Sequence, residues 1–178
     1  MFKFFYLLLV ALVLFVAVAL AIAATRPKVF RIERRASMRA SPDQIVTELV
    51  DFHRWQAWSP WEKLDPKIQR TFSGTPIGVG SAYAWQGTGK VGAGRMEIRS
   101  VDPLKVTIQL DFLKPFKAHN VAEFTLAPQG DSTELAWVMH GPQPLIGRVM
   151  GLFFNMDKLI GKDFEAGLAN LKAQVEKS

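Results

Sequence analysis

The sequence predicts an α+β protein: one N-terminal apolar helix, then a curved antiparallel sheet closed by a long C-terminal helix around an apolar interior. Three observations predict it. Residues 4–24 carry no charged side chain. The middle of the chain alternates apolar and polar side chains in short runs separated by turn residues. Residues 145–175 repeat apolar side chains at helical spacing.

The apolar run begins at Phe4 and closes at Ala24, with Lys3 before it and Arg26-Pro27 after it. A bilayer core needs about 20 apolar residues in a helix, so the run is long enough to span. The expected organisation is a transmembrane anchor over residues 1–25 and one domain over residues 26–178. The alternative is a cleaved signal sequence, because Ala21-Ile22-Ala23 resembles a small-residue cleavage site. The apolar core of a signal is usually about 7–15 residues, shorter than this one. Arg26, Lys28, Arg31, Arg34, Arg35 and Arg39 follow the run, opposed by Glu33 alone. Positive loops stay inside, so a single-pass protein with its soluble domain in the cytoplasm is expected; an exported domain is the alternative. Such a cluster also suits anionic headgroups, at about 1 kcal/mol per basic residue. The chain carries a net charge of +6. No nucleic-acid motif accompanies the basic cluster, and no nucleic-acid partner is expected.

Composition narrows the chemistry. There is no cysteine, which excludes disulfides, thiol nucleophiles and Cys-based metal sites. Aromatic residues make up 11%, with five Trp, so large apolar surfaces must be buried or must line a pocket.

Residues 29–38 alternate, with Phe30, Ile32, Ala36 and Met38 on one face; Arg34 interrupts that face and is expected near a strand end or snorkelling. Ser41-Pro42-Asp43-Gln44 reads as a capped helix start, Ser41 at the N-cap and Gln44 closing a capping box. That helix runs to about Phe52. Trp55, Trp58 and Trp61 then recur at every third residue, the spacing of one side of a tight helical turn. Strands are expected over 67–72, 81–86, 92–101, 105–112, 117–127 and 133–140. Turn residues such as Gly87-Thr88-Gly89, Asp102-Pro103 and Gln129-Gly130-Asp131 separate them. The short connections imply antiparallel hairpins with one apolar face. Gly141-Pro142-Gln143-Pro144 breaks the last strand. A single helix over 145–175, about 45 Å long, is expected to lie across the full width of the sheet.

Three segments carry a resemblance: residues 52–63 (FHRWQAWSPWEK), 91–98 (VGAGRMEI) and 157–165 (DKLIGKDFE). With the order of elements, they resemble the helix-grip fold of the START-related (SRPBCC) superfamily, in its polyketide cyclase/dehydrase-like branch. The similarity covers about residues 29–175. It implies a deep, mainly apolar cavity between sheet and long helix, used by relatives for lipids, polyketides, quinones or hormones. Some relatives are chaperone co-regulators. It implies no shared catalytic residue, and so no enzyme as such.

The expected ligand-binding face comprises Tyr83, Trp85, Met96 and Ile98, then Ile108, Leu110 and Phe112, then Phe124, Trp137 and Met139. Leu152, Met156, Ile160 and Phe164 close it from the helix. Trp55, Trp58 and Trp61 are core under the sheet edge, an aromatic gate at the mouth, or anchors at a membrane interface. The partner this face implies is a hydrophobic small molecule. For catalysis the candidates are His140 and Glu97, with Asp111 and His119 as further titratable groups. His140 is expected to end a strand at the rim of the pocket, where a general base is conceivable; the plainer reading is a rim histidine without a role. Glu97, with Arg95 and Arg99, lies opposite Met96 and Ile98, as solvated charges do. No histidine pair has metal-ligand spacing, so neither a metal nor a cofactor is expected. A binding module, an enzyme of cyclase, dehydratase or hydrolase type, and a protein-interaction co-regulator are the three functions compatible with this reading.

Overall fold

The computed structural model describes residues 2–89 and 91–177; the outer limits expected at Met1 and Ser178 fall outside them. Helix α1 (Phe2–Thr25) leads into β1 (Val29–Met38). From Lys3 its side chains are exposed, apart from Ala19 and Ala23 near the end that meets the domain. Lys3–Thr25 is long and apolar enough to cross a membrane, a property that spans and signal sequences share.

Next come α2 (Pro42–Val50), α3 (Trp55–Trp58) and a 3₁₀ turn (Pro60–Lys63). The capping box at Ser41 is formed: its side chain accepts from Gln44 N, and Ser41 N donates to Gln44 Oε1 at 2.9 Å. Six further strands follow: β2 (Gln69–Gly74), β3 (Ser81–Gln86), β4 (Ala93–Asp102), β5 (Lys105–Lys114), β6 (Ala118–Gln129) and β7 (Ser132–Pro142). The strand expected over 67–72 begins two residues later, and the last strand runs on to Pro142. All seven strands form one antiparallel sheet in the order β1-β7-β6-β5-β4-β3-β2. Because β1 pairs with β7, the first and last strands share one edge of the sheet.

Strand parity sorts the side chains as expected. Ile32, Met38, Ile98, Val106, Ile108, Phe124, Leu126, Leu135 and Trp137 are buried on the inner face. Ion pairs cover the outer face, among them Arg31–Glu33, Arg35–Glu134, Arg95–Glu97 and Lys105–Glu123. Each fully buried large apolar side chain contributes about 1.5–3 kcal/mol relative to exposure. The fold therefore rests on the inner face; exposed ion pairs contribute little.

The single long C-terminal helix is corrected to two: α4 (Leu145–Phe153) and α5 (Met156–Val175). Phe154 is extended, and Asn155 caps α5 by accepting from Lys158 N. Apolar spacing continues across the junction and conceals the break. The cap supplies an acceptor that only a new helix start requires. With 20 residues, α5 spans about 30 Å. It packs mainly on β1, α2, α3 and the 3₁₀ turn, not across the whole sheet.

Arg34 is neither terminal nor snorkelling. It sits in mid-strand, paired with Trp137 of β7, on the inner face. Its Nε donates to Glu165 at 2.7 Å and its Nη atoms to Asp157 at 3.0 Å. Both carboxylates belong to α5. The charge thus fastens helix to sheet from within the inner face.

Candidate functional site

Between the inner face and α5 lies a cavity of about 420 Å³. Its walls follow from strand parity. Tyr83 and Trp85 come from β3, Met96 from β4, Leu110 and Phe112 from β5, and Trp137 and Met139 from β7. Met156, Ile160 and Phe164 close it from α5, and Trp61 from the 3₁₀ turn. The structure thus brings most of the expected face together. Phe30, Trp55, Ile68, Val91 and Ala122 complete the apolar lining.

Aromatic contacts hold this wall. Trp137 stacks on Phe164 with ring centroids 4.2 Å apart, and Trp61 meets Trp137 edge-on at 5.7 Å. Such pairs add to the energy of burial and fix ring orientation. Trp85 lies over Gly94 of β4, where any Cβ would strike the indole ring, and its Nε1 donates to Val91 O at 3.2 Å. The β4–β5 register shifts beside it, between Ala93 and Gly94. Glycine and the irregularity together admit the indole to the cavity wall.

Five expected residues lie elsewhere. Trp58, Ile98, Ile108 and Phe124 are wholly buried in the core away from the cavity. For Trp58 the structure selects core over gate: its ring is 4.6 Å from Trp55 and 5.8 Å from Trp137, centroid to centroid. Leu152 is carried off by α4, which diverges from α5 at Phe154.

The expected titratable groups do not reach the cavity. His140 is corrected from rim to outer face: β7 continues past it to Pro142, and parity turns it away from Met139. Its Nε2 lies 3.6 Å from Glu123 Oε2. Glu97 pairs with Arg95 and Arg99 on that same outer face, and His119 Nδ1 is 2.9 Å from Asp111 Oδ1 there.

The polar groups that do line the cavity were missed. They are Ser59, Glu62, Asn120 and Asp163. Glu62 is the most elaborate: Tyr83 Oη donates to its Oε1 at 2.6 Å, and Arg70 Nε donates to its Oε2 at 2.6 Å. Burial, and then the hydrogen bond to Glu62, push the Tyr83 phenol well above its usual range. The same carboxylate raises Arg70 further. Both oxygens of Glu62 are therefore engaged, and the phenol is a very weak acid. Sequence spacing gave no sign of this cluster, whose members are 8 and 21 residues apart. Asn120 Oδ1 and Trp137 Nε1 are buried without a protein partner among the described residues, although both residues line the cavity. No group of three or more His, Asp or Glu among the described residues is arranged to hold a metal ion.

Residues 29–176 match the model of a family described as polyketide cyclase/dehydrase and lipid transport. No curated protein matches the chain in sequence. Solved structures share its fold at low identity. The di-domain aromatase/cyclase StfQ of the steffimycin biosynthetic pathway is 13% identical with a TM-score of 0.61; the match covers 84% of this chain and 51% of StfQ. Protein CV1439 of Chromobacterium violaceum is 16% identical with a TM-score of 0.57, over 85% of this chain and 99% of that one. Aha1 of Colwellia psychrerythraea, solved as a dimer, is 18% identical with a TM-score of 0.56, over 83% and 96%.

Proposed function

This chain belongs to the polyketide cyclase/dehydrase and lipid transport family, and from that premise we propose that it is a membrane-tethered binding protein for a hydrophobic small molecule. The ligand is of lipid, isoprenoid or polyketide type and is held between the sheet and α5. Residues 1–25 serve as the anchor and residues 26–178 as the binding domain, on the cytoplasmic side that the basic residues after α1 favour.

One observation carries this reading: a cavity of about 420 Å³ walled almost entirely by apolar and aromatic side chains. Small-molecule sites have this size and this lining, with a few polar groups that orient the ligand. Asn120, Ser59 and Trp137 suit the polar end of such a ligand. Mild detergent extraction of the full chain from native membranes, followed by native mass spectrometry, tests it. One co-purifying apolar species in stoichiometric amount is expected. Protein that is always empty, with tryptophan fluorescence unmoved by fatty-acid, isoprenoid and polyketide probes, overturns it.

A second reading, an enzyme of cyclase or dehydratase type, has one observation in its favour: the Glu62–Tyr83–Arg70 cluster in the cavity wall. The StfQ likeness extends to the fold alone. The pairing of both Glu62 oxygens argues for a structural carboxylate over a free base. Turnover of a bound ligand that Glu62→Gln abolishes, with binding retained, favours the enzyme.

A further inference from the structure

All seven strands run antiparallel to their neighbours, so one end of the sheet collects the starts of β1, β2, β4 and β6 and the finishes of β3, β5 and β7. That end also receives α1, through Thr25 to Val29, and it launches α4 after Pro142. The cavity lies toward this end: Phe30, Trp85, Phe112, Asn120 and Met139 all sit in the corresponding halves of their strands.

Two apolar projections flank it. One is α4 with the α4–α5 junction, where Ile146 is 67% exposed, Phe153 60%, Phe154 61% and Leu159 66%. Helix α4 has one charged residue, Arg148. The other is where β5 turns into β6: Leu113 at the end of β5 is 52% exposed, and Phe116, between Lys114 and Lys117, is 76% exposed. Large apolar side chains clustered in this way mark a contact surface.

The occupant follows from α1. Helix α4 packs along its C-terminal part. Phe153 meets Phe15 with ring centroids 6.4 Å apart. Arg148 Nη1 donates to Ala23 O at 3.1 Å and Ala24 O at 3.2 Å, which satisfies carbonyls that a helix end leaves free. From Thr25 back to Phe15 is about 15 Å along the helix, half of a hydrocarbon core about 30 Å thick. A partner that reaches Phe15 is carried to that depth.

We infer that α4 and the β5–β6 turn form a second membrane contact, set into the leaflet at the C-terminal end of α1, so that the cavity exchanges its ligand directly with lipid. This rests on the reading of α1 as a membrane span. Lys114, Lys117, Lys158 and Lys162 are exposed around the apolar residues and reach headgroups from there. Met156 lines the cavity and is itself exposed; it lies between the bilayer and the interior.

The absence of cysteine makes the test clean. Single cysteines at Val13, Phe116, Phe154 and Asp131 of the full chain, labelled with an environment-sensitive fluorophore, are reconstituted into liposomes with and without spin-labelled lipids. Asp131 lies in the β6–β7 turn, at the opposite end of the sheet. The expected result is strong quenching at positions 13, 116 and 154 and several-fold less at 131. Quenching at 13 with 116 and 154 in water overturns the second contact and leaves the anchor standing. Position 13 in water removes the anchor and this inference together.

Discussion

Gly161 of α5 lies directly against the guanidinium of Arg34, with no room for a Cβ between them. Around that contact Arg34 reaches Asp157 and Glu165 on either side of the glycine in sequence. Elsewhere in a helix, Gly→Ala gains about 1 kcal/mol. Here Gly161→Ala is expected to destabilise, because it displaces a charge held by two carboxylates. Thermal melts of the detergent-solubilised chain check the sign, and in an Arg34→Met background the loss should shrink or reverse. A stabilising Gly161→Ala in the parent chain would mean that the close approach is unimportant.

Acid should weaken the fold through its paired carboxylates. Arg34 holds Asp157, Arg31 and Arg35 hold Glu33, and Lys105 holds Glu123 below the usual carboxylate range. The backbone amides of Thr88 and Lys67 do the same for Asp65. A folded-state pKa below the unfolded one gives stability that is present above the unfolded value, about 4. That stability is lost as pH falls through the depressed values. Melting temperature is therefore expected to hold down to about pH 5 and to fall below about pH 4. Asp65→Asn should lower it at neutral pH and make the acid slope shallower; an unchanged slope contradicts the assignment.

Core and cavity residues should separate experimentally. Phe124→Ala, in the dry core, is expected to cost about 3–5 kcal/mol while leaving ligand choice unchanged. Ala122→Phe, in the cavity wall, should reduce ligand recovery by native mass spectrometry and alter stability far less. Undiminished ligand recovery in a folded Ala122→Phe variant would show that the cavity is not the binding site.

The Tyr83 phenol reports on Glu62. With Tyr6, the other tyrosine of the chain, replaced by Phe, ultraviolet titration follows Tyr83 alone. Ionisation is expected well above the ordinary value of about 10. In Glu62→Gln it should move downward yet stay elevated, since burial is the larger cause. No movement at all would break the coupling between the two residues.

Much of the fold was legible because its signals are local. Ser41 and Gln44 announce a helix start within four residues, and Val29–Met38 shows its two faces by parity. Wherever parity decides, as at Trp85, Met139 or Glu97, sequence and structure agree. The rest depends on partners distant in the chain. Arg34 on an inner face is an anomaly until Asp157 and Glu165 are folded against it. Glu62 has nothing to mark it until β2 and β3 bring Arg70 and Tyr83. Parity already turned His140 outward; the expected rim position came from ending its strand too early. The break at Phe154 was hidden by apolar spacing that suits two helices as well as one. Asn155, polar within an apolar run, was the available clue.

The pairing of β1 with β7 also governs how the protein is made. The chain leaves the ribosome N-terminus first, so β1 emerges directly behind α1. Its sheet neighbour is not synthesised until residues 132–142. Strands β2 to β7, by contrast, pair as successive hairpins, each with a short loop to close. Pairing β1 with β7 closes a loop across most of the length of the chain, the kind of distant pairing that slows folding. Phe30, which β1 carries, belongs to the cavity wall. The chamber needs both that pairing and the later α5, whose Met156, Ile160 and Phe164 close it, so its aromatic lining has no complete wall until α5 has been made.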